Sequence, residues 1–563
     1  MRFYIENMIR RALEDFSLDD EKVFVEHPVD LSHGDYTTNA ALLYAGNAGY
    51  ASRDFAEMLA LALQKMKGNY IDKIEVAGPG FINFFLSKSF FLESLRIILN
   101  KRDSYGKSPL HSGDRVLIEY TDPNPFKEFH IGHLMSNAIG ESLSRIIEFS
   151  GAEVKRANYQ GDVGLHVAKA LWGLRNFRGK QIYINDLGKA YTAGAEAYEM
   201  DGAAKTEIHE INKKVYEGND ADLLKLYETG RSVSLSYFET LYKKLGTKFD
   251  YLFFESDTGV RGKKIVTKNI GKIFEESDGA IIFRGEQYGL HTRVFITKDG
   301  FPTYEAKELG LAEMKYDIYP HTTSIVVTGS EVADYFKVLL QTLLLIYPEL
   351  AKCTKHIPHG MLRLPTGKMS SRTGDVITAE SLIKEGVERI FPKVKENKEI
   401  DNRVREELAE SIAIGAIKYS VLKQAIGNDI IFDFNVSLSF EGDSGPYIQY
   451  TYARAMSVLR KGSDGKTLPD LYAYEFRDLS LGDVERLLYR FPEVLTRANQ
   501  EYAPHHVATY LIALAQAFNN FYARERIVEG GDLAPYRVAL TSAVAIVLKN
   551  GLYLLGINAP EKM

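Results

Sequence analysis

The sequence contains a single cysteine, Cys353, among 563 residues. A disulfide framework and a zinc ribbon each need at least two cysteines, so the sequence excludes both. Long uncharged apolar runs are also missing, because the most apolar windows, near residues 338–347 and 543–555, are interrupted by polar side chains. Both fall short of the roughly 18 residues that a membrane span requires. Residues 1–16 are amphipathic and charged, unlike a secretion signal. We therefore expect a cytoplasmic protein without a membrane partner.

An excess of positive charge is absent as well, since the net charge is −6. The overall charge therefore gives no support for a nucleic-acid partner. RNA would have to bind local basic clusters and aromatic faces. The proportion of hydrophobic residues, 45%, is typical of a globular protein.

Composition and periodicity divide the chain into three predicted domains. Residues 1–110 combine a helical start with strands punctuated by Gly and Pro, which indicates a small α+β domain. Residues 111–395 alternate strands and helices, which predicts a parallel sheet with its ligand beyond the carboxyl ends of the strands. Within this domain, residues 178–260 are polar and helical, and we interpret them as an insertion. Residues 396–563 consist of long amphipathic helices, which predicts a helical bundle.

Two histidines stand three residues apart at the start of a predicted helix, in His130-Ile131-Gly132-His133. Side chains at this spacing share one helix face. The free N–H groups and the dipole of a helix start favour a phosphate. Gly132 would let an adenine ring approach the backbone closely, and the imidazoles would donate hydrogen bonds to phosphate oxygens as charge builds at the α-phosphorus. Taken alone, the motif is also compatible with a chance match or a metal pair.

A second polar segment lies far downstream, Lys368-Met369-Ser370-Ser371-Arg372-Thr373-Gly374. Its small residues would allow movement, and its cations would hold a pyrophosphate as it leaves. A run of this kind is more often a solvated loop. Its position after the histidine motif, inside an alternating α/β pattern, favours a nucleotide site.

Together the two segments resemble the two signature motifs of class I aminoacyl-tRNA synthetases. Other blocks narrow the resemblance to the arginyl-tRNA synthetase family and extend it over nearly the whole chain. These blocks are Glu119-Tyr120-Thr121-Asp122-Pro123-Asn124, Asn158-Tyr159-Gln160-Gly161-Asp162-Val163-Gly164, Gly34-Asp35-Tyr36-Thr37-Thr38-Asn39, Gly78-Pro79-Gly80-Phe81-Ile82-Asn83, Gln449-Tyr450-Thr451-Tyr452-Ala453-Arg454 and Gly551-Leu552-Tyr553-Leu554-Leu555-Gly556.

The resemblance implies a multidomain α/β fold. A Rossmann-like parallel-sheet catalytic domain would carry an N-terminal α+β appended domain that contacts tRNA and a C-terminal all-α anticodon-binding bundle. It implies ATP with Mg²⁺, L-arginine and an arginine-specific tRNA as ligands and partners. The reaction would form arginyl-adenylate, transfer arginine to the 3′ end of the tRNA, and release AMP and pyrophosphate. We expect a monomer that needs bound tRNA before it activates arginine.

The same resemblance assigns catalysis to His130, His133, Lys127 and Lys368. It assigns ATP binding to His130, Gly132, His133, Lys368, Met369, Ser370 and Ser371. Ser371-Arg372 stands where other class I enzymes often have Lys-Ser, and Lys127 would substitute for the missing lysine. The alternative for Lys127 is an ordinary surface lysine.

The arginine pocket should contain carboxylates and other acceptors, because a guanidinium group has five donors and no acceptor. By resemblance, Glu119 and Asn124 would hold the α-amino end of arginine, and Tyr304 and Glu308 would face the guanidinium. The family usually has aspartate where Glu308 stands. The alternative is that Tyr304 and Glu308 are two neighbours on a helix face without a ligand.

Three tyrosines of the predicted bundle, Tyr447, Tyr450 and Tyr452, are candidates for stacking on unpaired anticodon bases. Tyrosines in a helix also commonly serve as core or interface residues, so this alternative stays open. Three other functions remain: another class I synthetase, a metabolite nucleotidyltransferase with the same histidine motif, and a non-catalytic RNA-binding relative.

Overall fold

The computed structural model describes residues 1–18, 22–177, 181–365, 377–396, 401–463, 479–529 and 531–563. The helices are α1 (Arg2–Glu14), α2 (Ala40–Ala48), α3 (Ser52–Met66), α4 (Lys88–Lys101), α5 (Ile131–Phe149), α6 (Leu165–Gly173), α7 (Ile184–Met200), α8 (Gly202–Glu217), α9 (Ala221–Lys244), α10 (Glu255–Lys268), α11 (Tyr304–Ile318), α12 (Ala333–Ile346), α13 (Pro348–Cys353), α14 (Ala379–Lys395), α15 (Asn402–Leu422), α16 (Phe434–Ser437), α17 (Gly445–Ser463), α18 (Asp483–Leu488), α19 (Phe491–Gln500), α20 (His505–Arg524) and α21 (Ala534–Leu554). The strands are β1 (Val25–Glu26), β2 (Tyr36–Thr38), β3 (Ile71–Ala77), β4 (Phe81–Leu86), β5 (Arg115–Glu119), β6 (Glu153–Gln160), β7 (Tyr251–Phe254), β8 (Glu275–Ser277), β9 (Ala280–Phe283), β10 (Arg293–Ile296), β11 (Thr323–Gly329), β12 (Thr354–His359), β13 (Leu362–Arg363) and β14 (Ile430–Ile431).

The chain forms two compact units. One consists of Met1–Tyr105, Arg454–Pro492 and Ala513–Asn550, and the other of Gly106–Ala453, Glu493–Ile512 and Gly551–Met563. The first unit therefore contains the predicted N-terminal domain together with two segments from the predicted helical bundle.

In the first unit, an antiparallel sheet with the strand order β1-β2-β4-β3 packs against helices. The block that begins with Gly34-Asp35 helps to hold this sheet together. Gly34 has a φ of +97°, and a Cβ there would lie 2.7 Å from the carbonyl oxygen of Phe84. The buried Asp35 carboxylate accepts the N–H of Leu86 at 2.8 Å. Tyr489, which precedes α19, joins the same apolar core.

The second unit is built on a five-stranded parallel sheet with the order β12-β11-β5-β6-β7. The chain leaves β5 toward β6 and β7 on one side and returns to β11 and β12 on the other. The strand order therefore reverses between β5 and β11, and in sheets of this type the ligand lies beyond the carboxyl ends at that point. The parallel sheet, the α+β N-terminal region and the helical C-terminal region confirm the predicted fold class.

Three helices, α7, α8 and α9, occupy most of the predicted insertion. The helical part ends at Lys244, and β7 pairs with β6 in the central sheet. The range predicted for the insertion, 178–260, therefore includes β7, which belongs to the central sheet. A separate three-stranded antiparallel sheet, β10-β9-β8, follows α10.

From α15 onward, the regular elements of the described residues are helices apart from the two-residue strand β14, which pairs with β13. Residues 531–554 are long and apolar enough to cross a membrane by composition alone, with a mean hydropathy of 1.3 in the most apolar window. Core helices of globular proteins pass the same test. Here 56% of that window is buried within the fold.

Candidate active site

The histidine motif forms the start of α5, as predicted from the sequence. His130 is the N-cap residue, and its Nδ1 accepts the N–H of Gly132 at 3.1 Å. Nδ1 of His133 accepts the N–H of His130 at 3.2 Å. The two rings stack with their centroids 3.5 Å apart. The motif is thus a reciprocal helix cap in which imidazoles take the places usual for a hydroxyl and a carboxylate.

Both imidazoles are neutral at physiological pH. Burial and the charge of Lys127 lower the pKa of His130 to about 4. Burial, His130 and Lys127 together hold the pKa of His133 well below its ordinary value. Because each Nδ1 accepts a backbone hydrogen bond, the proton of each neutral ring belongs on Nε2. The pair can therefore donate two hydrogen bonds to an anion without carrying charge.

Gly132 is needed for the ring of His130. A Cβ at position 132 would lie 2.9 Å from Cε1 of His130, closer than ordinary contacts allow. The sequence suggested that Gly132 makes room for adenine. The structure adds that it makes room for the imidazole ring of His130 in its own motif.

The loop before α5 has an unusual backbone. Thr121, Asp122 and Phe126 have φ values of 82°, 46° and 67°, in the left-handed region that non-glycine residues rarely occupy. Hydrogen bonds hold it in place. The N–H of Thr121 donates to Oγ of Ser136 at 3.0 Å, and the N–H of Phe126 donates to Oγ of Ser234 at 2.9 Å. Strain of this kind concentrates at functional sites.

Four carboxylates gather at the carboxyl end of β5. Glu119 is buried and forms an ion pair with Lys315 of α11. Burial and the neighbouring carboxylate of Glu119 raise the pKa of Glu308 to about 8, against the opposing charge of Lys315. The same two causes raise the pKa of Asp122 well above its ordinary value. The structure thus brings the predicted residues Glu119 and Glu308 together.

The fourth carboxylate belongs to Glu255, at the first position of α10. Nζ of Lys307 lies 2.5 Å from its Oε2, and both side chains are buried. Gly161 provides space beside it. A Cβ at position 161 would lie 2.3 Å from Oδ1 of Asn124 and 3.1 Å from Oε1 of Glu255. Asn124 therefore faces Glu255 across Gly161.

The two remaining predicted side chains lie near this cluster. Tyr304 begins α11 and is 57% exposed, with Nζ of Lys307 at 5.4 Å from its ring centroid. Its ring is therefore available to a ligand. Nζ of Lys127 lies 4.9 Å from the ring centroid of Tyr191, and burial lowers the pKa of Lys127. Lys127 is thus not an ordinary surface lysine.

The second signature segment, with Lys368, Met369, Ser370 and Ser371, lies outside the described residues. The chain that follows it is described and meets the first signature. The N–H of Ala379 donates to the carbonyl of Phe129 at 2.8 Å, and the N–H of Ile131 donates to that of Ile377 at 3.4 Å. Residues 377–379 are therefore anchored at the start of α5.

The tyrosines predicted to stack on anticodon bases differ in exposure. Tyr452 of α17 is 4% exposed and belongs to the hydrophobic core. A ring buried to this degree has no free face for a base, so the stacking role predicted for Tyr452 is wrong, and its core role prevails. Tyr447 and Tyr450 are half-buried, and Tyr450 packs edge-on against Phe440 at 6.1 Å.

The sequence interpretation missed Lys315, Lys307 and Glu255. Lys307 and Lys315 stand one and two helical turns from Tyr304 and Glu308 on α11, so the helix period places them on neighbouring faces. The position of these two lysines on the same helix as predicted pocket residues is a signal in the sequence that could have identified them. Glu255 had none, because its partners are distant in the sequence.

Three family models match the chain in order. The model described as arginyl tRNA synthetase N terminal domain matches residues 4–86. The model for the catalytic domain of class I (R) tRNA synthetases matches residues 94–434. The DALR anticodon binding domain model matches residues 448–563. The ends of these spans do not test the domain boundaries predicted at residues 110 and 395, which stay predictions.

Individual relatives agree with the models. Arginine–tRNA ligase of Clostridium acetobutylicum is 34% identical to the chain over 513 residues, which is 89% of each protein. Arginine–tRNA ligase of Enterococcus faecalis is 33% identical over 557 residues and covers 98% of this chain and 97% of its own. The solved structure of Thermus thermophilus arginyl-tRNA synthetase superposes over the full length of both chains with a TM-score of 0.81 at 26% identity. The chain belongs to the arginyl-tRNA synthetase family of class I tRNA synthetases.

Proposed function

We propose that the protein is an arginine–tRNA ligase that activates L-arginine with ATP and transfers it to the 3′ end of its tRNA. One observation carries the choice of amino acid. Four carboxylates converge at the end of β5, whereas two ammonium groups, those of Lys307 and Lys315, pair with them and a third, that of Lys127, lies near Glu255. Burial and the neighbouring carboxylate of Glu119 raise the pKa values of Glu308 and Asp122, and the charge of Lys315 only partly offsets them.

Arginine would supply the missing positive charge. Its α-ammonium and guanidinium groups carry one charge each, and the guanidinium can bind a carboxylate through two parallel hydrogen bonds. In the proposed arrangement, Glu119 and Asn124 hold the α-amino end, while Glu308 and Tyr304 face the guanidinium. Lysine offers a point charge instead of a planar fork, so it would leave acceptors without donors.

The activation step needs no covalent bond to the protein. A carboxylate oxygen of arginine attacks the α-phosphorus of ATP, the bond to the β-phosphate oxygen breaks, and pyrophosphate leaves. Nε2–H of His130 and of His133 would donate to the phosphate as negative charge builds, in a site arranged beforehand for that purpose. Lys127 and Lys368 would add positive charge, with Mg²⁺ on the ATP phosphates. A ribose hydroxyl of the terminal adenosine then attacks the acyl carbonyl and AMP leaves.

Neutral imidazoles suit this role. Donors held rigidly at the position where charge develops stabilise the transition state more than the bound substrate. The capping hydrogen bonds at Nδ1 fix the direction of each ring. We further propose that the protein works as a cytoplasmic monomer and that tRNA must bind before activation.

ATP–pyrophosphate exchange with each of the twenty amino acids, with and without total tRNA, tests the proposal. Exchange should occur with arginine and should depend on tRNA. Citrulline provides a sharp control, because it has the shape of arginine without the positive charge, and it should support no exchange. Exchange with another amino acid would overturn the choice of substrate, and silence with all twenty in the presence of competent tRNA would overturn the activity.

A further inference from the structure

Helix α9 and the last turn of α21, which both lie in the second unit, end in the same type of turn. Gly246 and Gly556 have φ values of 65° and 67°. The amide after each glycine donates to a carbonyl five residues earlier, at Tyr242 and Leu552, both at 2.9 Å. These are Schellman turns, which leave terminal carbonyl oxygens free to accept further hydrogen bonds.

Arg145 of α5 joins the two helix ends. Its Nη1 donates to the carbonyl of Tyr553 at 2.9 Å, and its Nη2 donates to the carbonyl of Gly246 at 2.8 Å. The guanidinium also lies 4.7 Å from the ring centroid of Tyr553. Because the guanidinium is a rigid fork, it fixes the separation and the orientation of the two ends.

Lys418 of α15 joins the same two ends from another side. Its buried Nζ donates to the carbonyl of Leu245 at 2.5 Å and to that of Gly556 at 2.8 Å. Burial and the charge of Arg145 lower the pKa of Lys418 to about 7, and the amine can donate these hydrogen bonds in either protonation state. Ser142 of α5 adds a third link, since its Oγ donates to the carbonyl of Leu554 at 2.9 Å.

The two links that start from α5 lie well away from the histidine motif along the helix. Arg145 stands twelve residues after His133 on α5, about 18 Å along the helix axis. Hydrogen bonds also connect Arg145 to the proposed arginine pocket. Glu141 accepts a hydrogen bond from Nε of Arg145 at 2.7 Å and another from the hydroxyl of Tyr120 at 2.5 Å, and Tyr120 is adjacent to Glu119.

We propose that Ser142, Arg145 and Lys418 form a positioning junction that holds α5 against the ends of α9 and α21 and thereby places His133 for adenylate formation. The proposal rests on the proposed function. Helix α9 belongs to the insertion, and the end of α21 lies within the span matched by the anticodon-binding model. RNA that shifts either helix end therefore acts on α5 through the junction, which gives the expected need for tRNA a physical route.

The mildest test removes one link. Ser142→Ala deletes the hydrogen bond to Leu554, while Ser150→Ala is the matched control, because the hydroxyl of Ser150 donates to Ile146 within the same helix at 3.0 Å. Ser142→Ala should lower kcat of arginine-dependent exchange about five-fold, as expected for one hydrogen bond. KM for ATP and the Kd for tRNA should stay within two-fold of the parent values. Ser150→Ala should change kcat by less than two-fold.

A stronger test replaces the guanidinium. Arg145→Gln should lower kcat about 10–100-fold, because a small displacement of a catalytic group far from the mutation has effects of this size. Arg156→Gln is its control. Arg156 also contacts Glu141, with Nε 3.3 Å from Oε2, and its Nη2 lies 3.1 Å from Oε2 of Glu148. It therefore tests loss of a partly buried guanidinium without loss of the bonds to the helix ends. Arg145→Lys should restore part of the lost kcat.

Rates are compared per active site, counted by titration, so that a partly unfolded variant does not mimic the effect. Equal kcat values for Arg145→Gln and Arg156→Gln, or for Ser142→Ala and Ser150→Ala, would overturn the junction. Absence of exchange by the parent protein would instead overturn the proposed function. If Arg145→Gln does not fold, the serine pair decides.

Discussion

Nζ of Lys307 lies 2.5 Å from Oε2 of Glu255, and neither side chain is more than 6% exposed. The Glu255 carboxylate raises the pKa of Lys307 although burial opposes it. Lys307→Met would leave Glu255 buried without its cation, and we expect the free energy of unfolding to fall by about 3–5 kcal/mol. Urea titration followed by circular dichroism measures it.

The double variant Lys307→Met, Glu255→Gln serves as the control for that loss. It removes both charges, so most of the lost stability should return. A double variant as unstable as Lys307→Met alone would show that packing, and not the unpaired charge, causes the loss.

Glu308 predicts a pH dependence for arginine binding. Its pKa is raised to about 8, so it carries a proton at pH 7 in the absence of ligand. A bound guanidinium favours the ionised carboxylate and lowers this pKa, so binding at pH 7 releases a proton. KM for arginine should therefore fall as the pH rises from about 6.5 to 8.5.

Calorimetry of arginine binding at pH 7 in two buffers of different ionisation enthalpy gives the number of protons released. The parent protein should release a proton, and Glu308→Gln should release none while binding arginine more weakly. A buffer-independent enthalpy for the parent protein would contradict the placement of Glu308 at the guanidinium.

The two functions of His133 can be separated by substitution. His133→Asn keeps an acceptor near the position of Nδ1, so it should preserve the cap on the N–H of His130 and lose the outer donor. His133→Gln keeps a donor near the position of Nε2 and should lose the cap. We expect kcat of exchange to fall about 10²–10³-fold in His133→Asn and less in His133→Gln.

Thermal unfolding should give the reverse order, with His133→Asn the more stable of the two variants. Because the cap closes the first turn of α5, its loss should cost about 1 kcal/mol. If His133→Asn had both the higher kcat and the higher stability, the imidazole would contribute through the helix cap alone.

Two helical glycines should respond oppositely to alanine. A Cβ at Gly140 of α5 would lie 2.2 Å from Cγ of Tyr120, whereas one at Gly46 of α2 would meet nothing within 4 Å. Gly140→Ala should destabilise the protein by about 1–3 kcal/mol through overpacking. Gly46→Ala should stabilise it by about 0.5–1 kcal/mol, since alanine favours the helix. Denaturation midpoints compare them, and a stabilising Gly140→Ala would show that α5 can move away from β5.

The sequence was sufficient for the fold class and for the place of His130 and His133, because both depend on local information. Alternating periods identify strands and helices, and a motif after a strand and loop identifies a helix start. Glu119 and Lys315, in contrast, form an ion pair although they lie on β5 and α11, far apart in the chain. A pair so far apart in the chain leaves no local signal. The balance of charge in the pocket could therefore be determined only from the structure.

Tyr452 illustrates a different limit. A tyrosine in an amphipathic helix has the same local pattern whether its ring faces the core or an RNA base. Helix α17 fits neither interpretation uniformly, since Tyr452 is buried and Tyr447 and Tyr450 are partly exposed. Which face of a helix is covered depends on its neighbours, and those are set by the tertiary fold.

The left-handed residues of the loop before α5 bear on how this protein could be engineered. Glycine would adopt the φ of 82° at Thr121 without steric conflict, which favours it in a stability screen, although it would remove the buried Oγ1 that accepts a hydrogen bond from Nδ2 of Asn137 at 3.0 Å. A glycine there would also widen the conformational range of the segment that leads from Glu119 to the histidines. Selection for thermostability at this loop is thus expected to work against turnover, whereas helix positions such as Gly46 can be improved without that conflict.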